Sequence, residues 1–561
     1  MTTRVNHEYV DQSTAEVGAF LQDMKDSCQT KGGTAFDSAA AVDFVESAKN
    51  RAGVKVPENL NIVLDEAKDD FDRNQIMRAV LDSVSEYETE HGCNMPADVL
   101  EQALHNAYST TADAKAKFSL DSVVATGTNA HSEPRSLQAN PAIVAVYTTI
   151  AEAIPFAHYM PAEIGSNEAR LAILTHRAGN AYGAYAQGAI LDGIGSGDPY
   201  ITSARVHTVH PAASSGNITG KLQKLQKTAD ECDQSSGDIK LLRGRTTVYV
   251  DGMIAAREVS TTGTGASQVG GTIDYKGKSY TIGGTINTDT GEFSLTSSPA
   301  LPEAVNVTVE GFIDYERDAS NVPQIVSTSE VYQLFAKPWR CNTQISMDSM
   351  TQMSSELGLD PFSESVLAIN AQFGNERHYD ALRKGMRIAV HNSATFDYGA
   401  AREHQDSSRA EVWRDLSYAL GVISQQMAED TMNHGVTHLY VGKRVAAQLR
   451  ALPSTLFTPS GVSERPGIYR IGRLFGLYEV YYTPKVVAET ENSAQILCVG
   501  RATDVTRNPI VLGDAVAPIV QPLSLGADLK RGAGFYARNF TEINPHAPSA
   551  RGFGLINVTN M

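Results

Sequence analysis

The sequence feature that most constrains the fold is the stretch from Asp360 to Ala389, which has the pattern of a single long helix. Asp360 suits the N-cap and Pro361 the first helical position, because aspartate accepts bonds from free backbone N–H groups and proline needs no N–H there. At 1.5 Å per residue the stretch predicts a rod of roughly 40 Å with one buried stripe, along which a sheet or domain has to lie. The stripe residues recur mostly three or four positions apart and are Phe362, Val366, Ile369, Phe373, Tyr379, Leu382 and Met386.

The opposite face of this predicted helix is polar and carries Glu364, Glu376, Arg377, Arg383 and Lys384. Gly374 lies in the middle, where glycine costs about 1 kcal/mol relative to alanine. The periodicity is also typical of an ordinary core helix, so the stretch by itself predicts structure rather than function.

Length and charge bound the class of protein. The chain has 561 residues, 42% of them hydrophobic, which is too long for one compact core and predicts three or four domains. The formal charge of −17 argues against a dedicated nucleic-acid binder, because neutralising phosphates requires clustered lysine and arginine. Much of the acidic excess lies in residues 1–117.

The cysteines and the apolar runs bear on the compartment. The N-terminus lacks the basic-then-apolar pattern of a secretion signal, and no apolar run reaches the roughly 18 residues of a membrane span. We therefore expect a soluble protein made inside a cell. Five scattered cysteines without zinc spacing are typical of free thiols in a reducing cytoplasm; they are Cys28, Cys93, Cys232, Cys341 and Cys498.

The N-terminal region, residues 1–117, has the pattern of an acidic and separable helical segment. Its apolar residues recur at helical spacing, and the longest of its stretches runs from Pro57 to about Glu90. Such a region fits an assembly segment, and a small helical domain fits equally well. From Phe118 to Ala139 the chain is rich in Ser, Thr and Asn without helical period, which predicts an extended arm or linker.

Residues 244–316 change character and predict a small all-β insertion or a long β-hairpin with an elaborated tip. They are poor in helix formers and rich in Thr, Val, Gly and Tyr, and a short phrase recurs at Gly271–Tyr275, Gly284–Thr288 and Gly311–Tyr315. We expect an excursion of this kind in mid-chain to extend toward a partner.

The C-terminal part of the chain alternates helices and strands. A second amphipathic helix is predicted from Ser408 to Asn433, with a capping box at its start. Residues 436–500 combine short strands and one helix into an α/β layer, in which Pro453–Pro466 forms an exposed loop. The tail, residues 509–561, is punctuated by Pro and Gly and predicts strands that return to the long helix.

No set of residues converges on catalysis or on a metal. Asp289-Thr290-Gly291 matches the aspartic-protease tripeptide, but that enzyme needs two such loops, and a hairpin turn explains the residues better. His207 and His210 lie three apart without a third ligand at metal spacing. Gly216–Lys221 is too short for a phosphate loop and lacks the Ser or Thr after the lysine. We predict no enzyme activity, no cofactor and no metal site.

The order of the elements and three stretches of sequence resemble one family. Together with the acidic N-terminal segment, extended arm, β excursion, long helix and α/β layer, these stretches resemble the major capsid proteins of tailed phages, which have the Hong Kong 97-like fold. The likeness covers roughly residues 118–561 and is greatest to the T-even type, which has a larger chain with an insertion. The stretches are Pro141–Pro155 (PAIVAVYTTIAEAIP), Gly467–Pro484 (GIYRIGRLFGLYEVYYTP) and Gly532–Met561 (GAGFYARNFTEINPHAPSARGFGLINVTNM).

The resemblance implies an α+β fold in which Asp360–Ala389 is the spine helix and Pro453–Pro466 lies at the centre of a capsomer. It implies a division of the chain into residues 1–117 as the acidic helical N-terminal segment, 118–140 as the extended N-arm, 141–243 as the first part of the peripheral domain, 244–320 as the extended loop with its β insertion, 321–435 as the peripheral domain with the spine helix, 436–508 as the axial domain, and 509–561 as strands returning to the peripheral domain.

The resemblance also implies a function. The chain would be a non-enzymatic major capsid protein, made in the host cytoplasm, that self-assembles into the icosahedral head shell of the virion. Its homo-oligomers would be hexameric capsomers, with pentameric capsomers as an alternative, enclosing double-stranded DNA without sequence-specific binding and without any membrane. Other capsid, portal or decoration proteins would be its partners. A vertex paralogue, a nanocompartment shell, a carbohydrate- or cell-binding protein that uses the β module, and an unrecognised hydrolase stay open as alternatives.

A maturation cleavage is the one site that the resemblance implies. In this family an N-terminal segment is often removed by a phage protease, in T-even types after a Leu/Ile-x-Glu pattern. Leu64-Asp65-Glu66 fits that pattern and predicts a cut between Glu66 and Ala67.

Overall fold

The protein combines helices and β-sheets in two compact units, which agrees with an α+β chain. Unit 1 is formed by Met1–Ile173 and Val331–Met561, and unit 2 by Leu174–Glu330. The computed structural model describes residues 17–24, 44, 57–65, 67, 70–109, 141–160, 162, 167–212, 215–317, 319, 322–357, 361–404, 409–502, 504–523 and 530–561.

The α-helices with assigned bounds all belong to unit 1, and residues 17–24 are helical as well. In chain order they are α1 (Glu58–Asp65), α2 (Asp70–His91), α3 (Ala97–Ser109), α4 (Pro141–Ala151), α5 (Met347–Leu357), α6 (Pro361–Ala389), α7 (Tyr398–His404), α8 (Arg409–Thr431), α9 (Lys443–Arg450) and α10 (Ala547–Ala550).

The strands form two large sheets, one four-stranded sheet and two pairs. In chain order they are β1 (His158–Tyr159), β2 (Glu168–Ala178), β3 (Ala204–Val209), β4 (Asn217–Lys221), β5 (Gln226–Thr228), β6 (Glu231–Cys232), β7 (Thr247–Val250), β8 (Met253–Glu258), β9 (Ala266–Tyr275), β10 (Lys278–Asn287), β11 (Glu292–Ser298), β12 (Val307–Phe312), β13 (Ile325–Phe335), β14 (Lys337–Ser346), β15 (Ser393–Asp397), β16 (Val436–Val441), β17 (Phe457–Pro459), β18 (Tyr469–Leu474), β19 (Tyr478–Tyr482), β20 (Ser493–Gly500), β21 (Ile510–Leu523), β22 (Lys530–Ile543) and β23 (Phe553–Thr559).

The predicted long helix is confirmed as α6, an unbroken helix of 29 residues. Its C-terminal half is held by strands of the chain's tail, since β22 and β23 pack against it, as the sequence predicted. Phe373, Tyr379 and Leu382 of the predicted stripe are buried. The assignment of Arg377 to the exposed face is wrong, because this side chain is 3% exposed and ion-paired with Asp514.

The helices between residues 70 and 109 are part of unit 1 rather than a separable segment. Both α2 and α3 pack against α4, and α3 also contacts β21. Their apolar side chains, Val80 and Val99 among them, share one core cluster with Phe156 and Tyr481. The acidic composition predicted a free arm. The acidic residues of these helices lie mostly outside the core, however, so the composition did not indicate that the apolar side of each helix is buried.

A seven-stranded sheet carries the predicted α/β layer of residues 436–500, with strand order β15-β23-β20-β16-β19-β18-β17. Alternate residues of β16 face two different cores, because successive strand side chains point to opposite faces. Leu439 joins the cluster built around α8, and Tyr440 joins the cluster that contains α2, α3 and the end of α6. The second amphipathic helix is confirmed as α8, and its apolar stripe of Trp413, Leu416, Leu420, Ile423 and Met427 is entirely buried.

Unit 2 is built on one eight-stranded sheet of order β3-β12-β7-β8-β9-β10-β11-β4. The all-β character predicted for residues 244–316 is confirmed, but the sheet also takes in β3 and β4 from residues 204–221. The two edge strands β3 and β4 approach each other, and the short β5–β6 hairpin lies beside β3. The sheet therefore curls around a core that includes Leu222, Val248 and Ile282.

Candidate functional site

The strands that lead into the long helix are weakly buried, because one face of each strand is exposed and the other is mostly only partly buried. In described strand β13 only Leu334 is buried, and in described strand β14 no residue is. Within unit 1, Phe335 is 57% exposed and Val331 47%. β14 is also an edge strand of the four-stranded sheet β1-β21-β22-β14, so its second edge has no partner strand among the described residues. Such an edge is a template for pairing with another chain.

The N-terminal half of the long helix is exposed in the same way. From Glu364 to Gln372, where the structure describes the side chains, none is buried, and Leu367 is 62% exposed. Burial starts at Phe373, which contacts Trp339 and Phe535 with ring centroids 5.2 Å apart in each pair. One end of the helix therefore carries the core while the other end is free to meet another surface.

The predicted exposed loop of residues 453–466 is confirmed in most of its length. Phe457 is the exception among these residues, since it is buried where the short strand β17 pairs with β18. Leu477 stands 72% exposed at the turn between β18 and β19. The start of the loop lies beside this turn, where the Phe475 N–H donates to Leu456 O at 2.8 Å.

A cleft of about 600 Å³ lies in unit 1 where α2, α4, α6 and residues 465–469 meet. Most of its polar groups have partners within the protein. His91 shares a hydrogen bond of 2.9 Å with Tyr481, His378 one of 3.1 Å with Tyr440, and Arg465 pairs with Glu90. Burial lowers the pKa of His91 to about 4 and that of His378 to about 3, so both are neutral near pH 7.

Glu152, directly after α4, lines the same cleft and differs from the other groups. The structure gives no hydrogen bond or ion pair to its carboxyl among the described residues. Burial raises the pKa of Glu152 to about 8, although the charge of Arg377 opposes the rise. Its side chain lies against Gly374, where an added Cβ would stand 2.9 Å from the Glu152 Cγ. The absence of a Cβ at Gly374 therefore allows the Glu152 side chain to pack against α6.

Two buried ionic clusters connect the N-terminal helices to the rest of unit 1. Asp98 on α3 accepts from His158 Nδ1 at 2.7 Å and from Arg501 at 3.2 Å. Burial opposes ionisation of Asp98, but these two partners outweigh it and hold its pKa below the usual range. Asp514 on β21 accepts from Arg377 at 2.7 Å and from Asn106 at 3.0 Å. Residues far apart in the chain are thereby fixed together.

Two of the residues singled out for chemistry, Asp289 and His207, make structural contacts. Asp289 pairs with Arg317, and Gly291 N–H donates to Asn287 O at 2.8 Å, which confirms the hairpin turn. The His207 ring accepts from the Cys232 N–H at 3.3 Å within unit 2. No cluster of three or more His, Cys, Asp or Glu arranged for a metal occurs within the described ranges.

Three further sequence predictions concern the cysteines, the membrane and the cleavage site. The four cysteines in the described part of the chain, Cys93, Cys232, Cys341 and Cys498, are free thiols. None of the described helices has the length and apolar character needed to cross a membrane. Glu66 and the arm of residues 118–139 lie outside the described residues, as does Ser408. Ala67 is described, and its N–H lies 3.3 Å from Leu64 O.

Sequence reasoning missed Glu152 and the two ionic clusters, although part of their pattern was visible. Arg377 follows the buried Phe373 by four residues, which places it on the apolar face of the helix. Asp514 interrupts the apolar run from Ile510 to Ala517, and a lone charge in a buried strand implies a buried partner. Nothing in the sequence identifies which residues those partners are.

Comparison with known proteins gives only distant similarity. No protein-family model matches the chain, and no curated protein matches it. Among solved structures, a chain of the capsid of Myoviridae phage XM1 has a TM-score of 0.28 and 10% identity, covering 43% of this chain and 78% of that one. A chain of Mycobacterium phage Bobi has a TM-score of 0.29 and 12% identity, covering 58% and 89%. The SrpI encapsulin complex of Synechococcus elongatus PCC 7942 has a TM-score of 0.26 and 11% identity, covering 44% and 80%. The neighbours are thus phage and encapsulin shell structures, but at TM-scores this low the likeness carries no argument, and a function has to be inferred from the chain itself.

Proposed function

We propose that the chain is a shell subunit, the major capsid protein of a tailed phage, that completes its fold only by association with further copies of itself. The observation that carries this is the weak burial of β13, β14 and the first half of α6. Long strands with so few buried side chains contribute little to a subunit's own core, and an isolated pair of strands is marginally stable in water. Neighbouring subunits supply the missing contacts.

The exposed apolar side chains support the same proposal. Val331, Phe335 and Leu367 are each about half exposed or more, and none of these side chains belongs to a core cluster of unit 1. Burying one such side chain contributes about 1.5–3 kcal/mol. Each contact is modest, but a subunit that touches several neighbours multiplies them into a stable assembly.

The order of elements gives each part a proposed role. Residues 436–508 are the axial domain, with the loop of residues 453–466 and Leu477 toward the centre of a capsomer, and they supply five strands of the seven-stranded sheet. Residues 321–435 and 509–561 make the peripheral domain around α6. Residues 244–320 are the extended loop with its β insertion, and residues 118–140 are the N-arm. Head-to-tail contacts of such subunits close into rings, here hexameric capsomers.

The charge balance fits a container for DNA. A formal charge of −17 keeps the shell from adhering to phosphates, so the protein encloses double-stranded DNA without binding its sequence. In this role the shell has no catalytic residue, and its other partners are portal, decoration or further capsid proteins.

Negative-stain microscopy of the overexpressed full chain tests the proposal. We expect tubes, sheets, rings or shells, whereas a monodisperse monomer at high concentration contradicts it. Copy number in a purified particle separates a major capsid protein from a vertex paralogue, because the latter occupies only the vertices.

The variant Leu367→Asp tests the surface itself, and Leu367→Met is its matched control. Leu367 is exposed, so either substitution changes the stability of the unassembled subunit by about 0.5 kcal/mol or less. We expect Leu367→Asp to reduce assembly at a fixed protein concentration and Leu367→Met to leave it unchanged. Equal assembly of both variants shows that this half of α6 is not an interface.

A further inference from the structure

The cleft around Glu152 has the features of a small-ligand binding site. Its volume of about 600 Å³ falls within the range of small-ligand sites. Its walls come from rigid elements, namely α2, α4 and the middle of α6, and its charged residues are Glu90, Glu152 and Arg465.

The charged groups of this cleft determine whether a ligand should be a cation or an anion. Glu90 and Arg465 pair with each other, and both cleft histidines are neutral and hydrogen-bonded. Arg377, the nearest cation from α6, donates to Asp514 rather than to Glu152. The carboxyl of Glu152 is consequently the one charge-bearing group among the described lining residues for which the structure gives no partner.

We propose that this cleft binds an organic cation, an alkylammonium or guanidinium group, which pairs with the Glu152 carboxyl. A partly buried carboxyl without a partner is costly to ionise, and a cation at hydrogen-bond distance removes that cost. Thr148, Asn370 and Asn375 offer further oxygen acceptors on the lining, and Tyr147 offers an aromatic face for a cation.

Gly374 supports the site independently of charge. A Cβ at this position would lie 2.9 Å from Glu152 Cγ and 3.2 Å from its Cδ. Glycine in a helix interior costs stability relative to alanine, yet here it keeps the carboxyl at the floor of the cleft. The helix thus accommodates Glu152 at a position where any other residue would displace it.

Proton release gives the site a distinctive signature. The Glu152 carboxyl is mostly protonated at pH 7, because burial raises its pKa to about 8. Among the groups that face it, Arg377 favours the ionised form and Asp514 opposes it, while Glu90 and Arg465 are paired and His91 and His378 are neutral. Binding of a cation therefore releases close to one proton from Glu152 at pH 7. As the pH rises toward 8 the affinity increases about tenfold per pH unit, and above pH 8 the affinity is constant.

Isothermal titration calorimetry of the full, unassembled chain with n-butylammonium chloride tests the proposal. In two buffers of different ionisation enthalpy at pH 7, we expect binding accompanied by proton release, and weaker binding at pH 6. Uncharged n-butanol is the ligand control and should not bind. Absence of n-butylammonium binding, or binding without pH dependence, overturns the proposal.

Three variants locate the bound cation. Glu152→Gln should fold, because the amide resembles the protonated acid, and should weaken binding about tenfold to a hundredfold. Gly374→Ala should weaken it by displacing the carboxyl, and the exposed Glu303→Gln in unit 2 should bind like the wild type. If Glu152→Gln binds n-butylammonium as tightly as the wild type does, the cation does not pair with Glu152 and the proposal is wrong.

The source of the cation is distinguished on assembled particles. If a Lys or Arg of a neighbouring copy fills the cleft, n-butylammonium binds the unassembled chain but not the assembled particle. If the natural ligand is a free amine, it binds both. The titration of the unassembled chain stands whether or not the shell proposal holds, so failure of one is separable from failure of the other.

Discussion

Removing the guanidinium of Arg377 tests whether unit 1 is held together through its buried ion pair with Asp514. Arg377 is 3% exposed and Asp514 2%, and Nη2 donates to Oδ1 at 2.7 Å. Asp514 also accepts from Asn106 at 3.0 Å. One carboxylate on β21 therefore binds both the long helix α6 and the N-terminal helix α3.

The variant Arg377→Met leaves the Asp514 carboxylate buried with only an amide donor. Removing one partner of a buried ion pair costs about 3–5 kcal/mol, because the remaining charge keeps its desolvation penalty. That cost lowers the folding equilibrium constant of unit 1 roughly a hundredfold to several thousandfold, at about 1.4 kcal/mol per factor of ten. The double variant Arg377→Met with Asp514→Leu should recover much of the loss, because neither charge remains buried.

Equilibrium unfolding in urea, followed by tryptophan emission, measures this loss. The chain has two tryptophans, Trp339 and Trp413, and both lie in unit 1, so the emission does not follow the unfolding of unit 2. The control Arg383→Met removes an exposed guanidinium from the same helix and should change the free energy of unfolding by about 0.5 kcal/mol or less. A loss below about 1 kcal/mol for Arg377→Met refutes the reasoning.

Three further predictions follow from single residues. Gly92→Ala should destabilise unit 1 by about 1–2 kcal/mol in urea unfolding. The φ of Gly92 is 66°, and a Cβ there would lie 2.3 Å from the Arg470 guanidinium. Its control is Gly421→Ala on the exposed face of α8, where a Cβ meets open space, and it should stabilise by about 0.5–1 kcal/mol. Burial lowers the pKa of His91 to about 4, against 6.5 in the unfolded chain. As the pH falls from 6.5 to 4, the unfolded chain therefore binds a proton that the folded chain does not, and the free energy of unfolding decreases by about 1.4 kcal/mol per pH unit. His91→Gln should flatten the measured pH dependence by that amount, and an unchanged slope contradicts the assignment. Intact-mass spectrometry of purified particles should find a chain beginning at Ala67, which Glu66→Ala should abolish; wild-type chains in mature particles that retain residues 1–66 exclude the cut.

The parts of the fold that the sequence predicted are those with a strong local period. Both α6 and α8 carry apolar stripes, and a stripe is a property of neighbouring residues, so it is visible without knowledge of the rest of the chain. The hairpin turn at Asp289–Gly291 is local in the same sense. The strands of the tail were expected beside the long helix, and β22 and β23 do pack there.

The parts that were missed depend on partners far away in the chain. Arg377 and Asp514 are separated by 137 positions, and Asp98 and Arg501 by 403. Each was visible as a charge in an apolar pattern, but nothing local identifies the opposite charge. The short polar strand β4 is of the same kind, because Asn217–Lys221 becomes a strand only through its pairing with β11.

The integration of the N-terminal helices changes what a cut after Glu66 would do. Helices α2 and α3 follow the cut and stay with unit 1, because His91 of α2 is hydrogen-bonded to Tyr481 and α3 is fixed through Asp98 and Asn106. The cut would separate α1, whose Leu60, Val63 and Leu64 are buried. Burial of each of these side chains contributes about 1.5–3 kcal/mol, so the loss of α1 removes roughly 5–9 kcal/mol of burial free energy and exposes the surface that α1 covered. Part of that surface belongs to α3, against which α1 packs. Cleavage would thus convert a contact within one subunit into an apolar face that a neighbouring subunit can cover, and it would make assembly, rather than the isolated chain, the stable state of the cut protein.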